Sequence, residues 1–325
     1  MSASHPPFQK VLDALLDEGK PLPSRYLVEF SDIEPAALAS LLEAWPRIAP
    51  NRKLLLLDRL DALADEDTLV SFDDLGRALL TDPEAQVRVR AMRLLDECED
   101  HRLIPAYLRI LSSDEDVSAR AEAASTLGMF VQLGEFEDIP AEAHRQVEDA
   151  LLEAFNSEDT PAVVRRRALE ALGYSSRPEA PVLIEASFKR QNPDWKASAL
   201  FAMGRSSDER WAEQVLSMLL AENLIVRAAA VKAAGELGLP GARLLLLRLL
   251  EEEDDSAVTE AAIWSLSQIG GEDVRIYLES LLDAAEEDDE IAFLEEALDN
   301  LAFTEDLAQF DLMAYDADDE DMLEA

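Results

Sequence analysis

The stretch "VRAAAVKAAGELG", Val226 to Gly238, joins a branched apolar residue, a basic residue, alanines at helical spacing and a glycine. The chain writes it repeatedly. Copies begin at Val87 ("VRVRAMRLLD"), Ala119 ("ARAEAASTLG"), Val164 ("VRRRALEALG"), Trp195 ("WKASALFAMG") and Val258 ("VTEAAIWSLS"). Degenerate copies flank them at Arg52 ("RKLLLLDRLD") and Glu290 ("EIAFLEEALD"). The second positions are Lys53, Arg88, Arg120, Arg165, Lys196, Arg227, Thr259 and Ile291, at intervals of 35, 32, 45, 31, 31, 32 and 32 residues. A recurring period in that range identifies a stack of similar units, each of which buries its apolar face against its neighbours.

Within a copy the apolar residues fall at i, i+4 and i+8, as in Val164, Ala168 and Leu172, on one face of a helix. Gly128, Gly173, Gly204 and Gly235 end their copies and are expected to close the helix in the left-handed conformation. A second apolar-periodic stretch follows, such as "ARLLLLRLL" at Ala242 to Leu250. No period-two segment of useful length occurs. The expected fold is all-α, a right-handed α-solenoid of about eight stacked antiparallel helix pairs. Residues 1–50 form a helical cap, 51–303 the solenoid, and 304–325 an acidic, disordered tail. The interval of 45 residues places an insertion of about a dozen residues after Gly128, read as a longer helix or a tolerated loop.

An acidic residue precedes the basic one by six positions at Asp82 and Arg88, Asp114 and Arg120, and Asp159 and Arg165. This Asp…Val-Arg…Ala…Leu-Gly pattern resembles HEAT repeats of the bacterial phycobilisome-lyase HEAT-like type, over roughly residues 51–303. The resemblance implies an Asp–Arg ladder between successive repeats, fading at Lys53, Thr259 and Ile291, and a concave surface lined by the repeated helices.

Lys and Arg number 29 against 69 Asp and Glu, a net charge of −40. Direct binding of nucleic acid or an anionic membrane, which needs a basic surface, is excluded on that ground. A single cysteine, Cys98, fits a reducing compartment, and "MSASHPPFQKV" lacks the pattern of a secretory signal, so a cytoplasmic monomer is expected. Catalytic signatures are missing. The three histidines form neither HExxH nor His-Glu pairs, which separates the chain from deoxyhypusine hydroxylase, and no P-loop, dinucleotide fingerprint or nucleophile elbow occurs. "DECEDH", Asp96 to His101, reads as a polar helix end, its acids holding Cys98 in the thiol form. No metal, cofactor or catalytic residue is expected.

Binding remains. The fourth and seventh positions of each copy lie off the apolar stripe and carry Arg90, Arg93, Arg167, Phe201, Lys232 and Trp264, a basic and aromatic series of the kind that interfaces favour. Whether Phe201 and Trp264 are exposed or packed between helices stays open at this level. The tail interleaves Phe310, Leu312, Met313 and Tyr315 with acids and could dock on a basic partner or fold back over Arg90, Arg93 and Arg167. The expected function is a non-enzymatic scaffold for an extended protein or peptide partner. The alternatives are a cofactor-handling accessory similar to bilin lyases and an acidic chaperone or mimic for basic nucleic-acid-binding proteins acting through the tail.

Overall fold

A computed structural model describes the backbone of residues 8–323 and the side chains of residues 8–307. The tail anchors Phe310, Leu312, Met313 and Tyr315 lie outside those side chains. The described residues are helical and carry no strand, and the chain is an α-solenoid. Among the described residues no helix is long and apolar enough to cross a membrane. It divides into two compact units, Met1–Leu172 and Gly173–Ala325.

The first unit holds α1 (Phe8–Leu16), α2 (Pro35–Ala44), α3 (Pro50–Glu66), α4 (Asp73–Leu79), α5 (Ala85–Arg93), α6 (Ile104–Ser113), α7 (Val117–Glu135), α8 (Ala141–Asn156) and α9 (Ala162–Ala171). The second holds α10 (Glu179–Phe188), α11 (Pro193–Arg205), α12 (Ala212–Met218), α13 (Leu224–Glu236), α14 (Arg243–Glu252), α15 (Ser256–Ile269), α16 (Glu272–Ala284) and α17 (Asp288–Leu323). From α3 onward every odd helix carries one copy of the repeat. In the first unit α3, α5, α7 and α9 pack on one another in series; in the second α11, α13, α15 and α17 do the same. Each even helix from α4 onward packs on the template helix that follows it. The helix α17 continues past residue 303, the boundary drawn from sequence.

Four of the template helices start at a common signal. Asp116, Asn192, Asn223 and Asp255 each stand three residues before their copy, and each side chain accepts a hydrogen bond from the backbone N–H of the first residue of that copy: Ala119, Trp195, Val226 and Val258. These bonds satisfy donors that the helix itself leaves open.

The glycines act differently from the sequence expectation. Gly128, Gly204 and Gly235 lie inside α7, α11 and α13, and none of the four repeat glycines has a positive φ. Close approach is what they allow. A methyl group on Gly173 would meet the Ala202 Cα at 2.8 Å, one on Gly204 the Ala233 Cα at 3.0 Å, and one on Gly235 the Ser265 Cα at 2.6 Å. Each glycine therefore receives the backbone of the next template helix, whose contacting residue is itself small. Around this seam Ala199, Ala202, Ala230, Ala233, Ala234 and Ala262 are buried. The buried Ser265 hydroxyl donates across it to the Val231 carbonyl at 2.9 Å.

The basic residues of three copies work at the same stacking boundaries. Arg88 grips Asp114 of the next repeat with two bonds, 2.8 and 2.6 Å, and donates to the Asp82 carbonyl of its own turn at 2.7 Å. Arg227 does likewise with Glu253 at 2.8 Å and the Ala221 carbonyl at 2.7 Å. In the degenerate first copy the buried Lys53 pairs with Glu84 at 3.1 Å under the face of Trp45. The implied ladder therefore links each of these bases to the following repeat, while Asp82 accepts from the Trp45 indole instead.

The insertion lengthens helices. α7 runs for 19 residues and α8 for 16, against 13 for α11 and α13. The turn between them bends at Glu137, φ 63°, where the amides of Glu137 and Asp138 close back on the Gly134 and Leu133 carbonyls. A helix-interior Gly→Ala change ordinarily gains about 1 kcal/mol of propensity. At Gly235 the collision with Ser265 dominates, so Gly235→Ala is expected to destabilise by about 1–3 kcal/mol. Urea unfolding of the full chain checks the sign.

Candidate functional site

Most side chains at the fourth and seventh positions of a template helix reach the surface, Ser198 and Glu170 being buried exceptions, and an eleventh position joins them one turn on. In the first unit this face carries charge. Arg90, half-buried on α5, binds Asp58 on α3 through Nε at 2.5 Å and Nη2 at 3.3 Å. Arg93, exposed one turn later, reaches the other way to Glu122 on α7 at 3.4 Å. Arg167 on α9 pairs with the buried Glu170 at 2.5 Å. All three arginines thus stand in ion pairs, two of them spanning neighbouring repeats.

The remaining charge on this face is negative. A cavity of about 560 Å³ opens between α3, α5, α7 and the segment leading into α4. Its walls carry six carboxylates, Asp61, Asp65, Asp73, Asp96, Glu97 and Glu122, against the single guanidinium of Arg93. Burial raises the Asp61 carboxyl above the ordinary range, and the charge of Asp65 raises it further, with Arg93 pulling the other way. Cys98 also lines the cavity; burial first, then a hydrogen bond with Asp73, raises its thiol, so the nucleophilic thiolate is disfavoured. Beside it Arg77 contacts the sulfur at 3.0 Å and pairs with Asp100 at 2.7 Å. Asp100 also accepts from the backbone and side chain of Arg102, which holds its carboxyl far below the usual range.

The second unit presents a cationic and aromatic cluster. Phe201 is half-buried on α11; the Arg205 guanidinium stands 4.2 Å from its ring centre and the Lys232 ammonium 5.1 Å. Arg205 also stacks on Tyr174 at 4.8 Å. Beneath them lies Glu236, whose Oε2 is buried without a hydrogen-bond partner. Burial raises its carboxyl against the pull of Lys232 and Arg205. Trp264 holds the corresponding seventh position on α15 and is half-buried.

Of the six residues singled out from sequence, the structure brings Phe201 and Lys232 together and gives Arg90, Arg93 and Arg167 separate acidic partners. Phe201 and Trp264 are neither fully exposed nor sealed. Sequence reasoning missed Arg205 and Glu236, which the eleventh position would have supplied. It also missed Asp58 and Asp61, which continue the same polar stripe along the degenerate α3 copy.

Comparison with known proteins bears on this surface through the fold. A model of HEAT repeats matches residues 72–172, 180–267 and 213–299. Among solved structures, the chain is similar to the complex of CpcE and CpcF of phycocyanin lyase from Nostoc sp. PCC7120, at 17% identity and TM-score 0.52, covering 88% of this chain and 97% of that one. It is also similar to human deoxyhypusine hydroxylase in complex with glycerol (19%, TM-score 0.35, 81% and 95%) and to a Kap121p mutant (16%, TM-score 0.44, 90% and 35%). No curated protein matches the sequence.

The raised Asp61 carboxyl has a sign that can be measured. A group whose folded pKa lies above its unfolded value of about 3.9 opposes folding when ionised, so its cost is present at neutral pH and vanishes below that value. Asp61→Asn should therefore raise Tm at pH 7, and the gain should shrink to nothing as the pH falls through the carboxylate range. Melting curves across pH for both chains read it directly.

Proposed function

This chain belongs to the HEAT-repeat family, and on that premise we propose a non-enzymatic scaffold that holds an extended, basic segment of a protein partner against the α3–α5–α7 face. The observation that carries the proposal is the cavity there, with six carboxylates facing one guanidinium. Burial first, and then the neighbouring charge of Asp65, oppose ionisation of Asp61 on this half-buried wall. Lysine or arginine side chains entering the cavity would relieve that repulsion, and Arg93 already fits against Glu122 in this way. The net charge of −40 favours encounter with a basic partner over a wider range and repels an acidic one.

Packing supports the same reading. The seam residues and the Arg–acid ties fix the stack, which leaves the polar positions free to differ between repeats without loss of fold. The raised thiol of Cys98 argues against covalent chemistry in the cavity. The similarity to the phycocyanin lyase complex stands at 17% identity and speaks for the fold, with no transfer of lyase activity. A tail folded back over Arg90, Arg93 and Arg167 would have to displace Asp58, Glu122 and Glu170. We therefore assign the tail no competitive role. The setting we propose is the cytoplasm, with the chain acting as a monomer.

Fluorescence anisotropy with labelled peptides tests the function. A lysine-rich peptide should bind the full chain, bind more weakly as salt rises, and bind equally to a chain ending at Phe303. Asp61→Asn and Glu122→Gln should each weaken it by about tenfold. Preference for an acidic peptide, lost on Phe201→Ala or Lys232→Ala, would move the site to the second unit and overturn the assignment.

A further inference from the structure

Away from the α3–α5–α7 face, the lengthened hairpin brings three metal-ligating side chains to one point. Glu135 ends α7, and His144 and Glu148 stand one turn apart on α8. One ligand atom from each lies within 4.8 Å of the other two. His144 Nε2 sits 3.8 Å from the Glu135 carboxylate and 3.8 Å from that of Glu148. The trio is set inward: Glu148 is buried, and His144 Nε2 is closed to solvent and has no hydrogen-bond partner.

The backbone is shaped around the imidazole. A side chain on Gly134 would collide with the His144 ring, its Cβ 2.8 Å from that of the histidine, so glycine at this position lets the ring lie flat on α7. The tight turn through Glu137, in the left-handed region with φ 63°, returns the chain so that α8 faces the end of α7. A non-glycine residue held there is strained, which the surrounding contacts must outweigh.

A simple ion pair accounts poorly for this geometry. Charge-assisted hydrogen bonds run at about 2.7–2.9 Å, and 3.8 Å is beyond that reach on both sides. An imidazole nitrogen buried without a partner carries a penalty that a ligand would remove. A tetrahedral ion at about 2.0–2.2 Å from nitrogen and oxygen ligands separates them by about 3.3–3.5 Å. The two His144–carboxylate distances reach that spacing if the side chains close by a few tenths of an ångström, and the two carboxylates start within 4.8 Å of each other. We propose that Glu135, His144 and Glu148 bind a divalent transition-metal ion of the zinc class, with water in the fourth position. The imidazole selects such an ion over Mg²⁺ or Ca²⁺, which favour oxygen alone. Bound there, it would clip the end of α7 to α8 and hold the hairpin closed.

The sequence shows only half of this. His144 and Glu148 have the i, i+4 spacing that places two ligands on one helix face, whereas Glu135 arrives from the preceding helix across the insertion.

The test uses the full chain after chelator treatment and dialysis, titrated with Co²⁺ in excess Mg²⁺ so that surface carboxylates are occupied. The expected result is a visible absorption band of a low-coordinate nitrogen- and oxygen-ligated ion, saturating at one equivalent and bleached by Zn²⁺, with Tm raised by several degrees. His144→Ala should abolish the band. Glu135→Gln, which keeps the size and shape of the side chain, should weaken Co²⁺ binding at least about tenfold. Absence of a saturable band, or a band that survives both substitutions, would overturn the site and leave the three side chains as a purely electrostatic cluster.

Discussion

The structure depends on how closely its template helices approach one another. Three successive glycines, Gly173, Gly204 and Gly235, receive Ala202, Ala233 and Ser265 at distances that a Cβ would violate. Small residues on both sides of the seam bring backbones together, and dispersion between them is gained only because the fit is tight. That contact sets which residues of each template helix face inward, and so which positions remain for binding. A residue one turn away on the same helix is free to be Arg90, Glu122 or Phe201 because the seam does not need it.

Electrostatics follows from the same spacing. Arg88 and Arg227 each reach the acid of the following repeat while capping a carbonyl of their own turn. Their placement at partly buried stacking boundaries makes the pairs matter for register, since a removed partner leaves a charge with poor access to water. Arg90 and Arg93 also pair with acids of neighbouring repeats, and Arg167 with Glu170 on its own helix, so much of the scarce positive charge is already engaged. What is left over on the face of the first unit is carboxylate, and the surface character is the reverse of what the arginines alone suggest.

Much of the fold was legible in the sequence. The intervals between Lys53, Arg88, Arg120 and their successors give the helix count and the order of packing, because a repeat of that length has one way to bury its apolar face. The glycines were misjudged: a glycine near a helix end can close it or admit a neighbour, and only the position of the next helix decides. The candidate binding face was half legible. The fourth and seventh positions were identified, but the partners of Arg90 and Arg93 come from about 30 residues away (Asp58 and Glu122), beyond any local pattern, whereas Arg167 pairs with Glu170 on its own helix. Phe201 and Lys232 were named, while Arg205, which bridges Phe201 to Tyr174, was not. Glu135 joining His144 and Glu148 is likewise a product of the hairpin, which the insertion signalled without specifying.

Hydrogen exchange followed by mass spectrometry, on the full chain with and without a lysine-rich peptide at moderate salt, tests the central claim most directly. Binding to the α3–α5–α7 face predicts slowed exchange in the segment from Asp67 to Phe72 and at the C-terminal end of α5, with the second unit unchanged. Protection confined to residues beyond 303, or to α11 and α13, would contradict it.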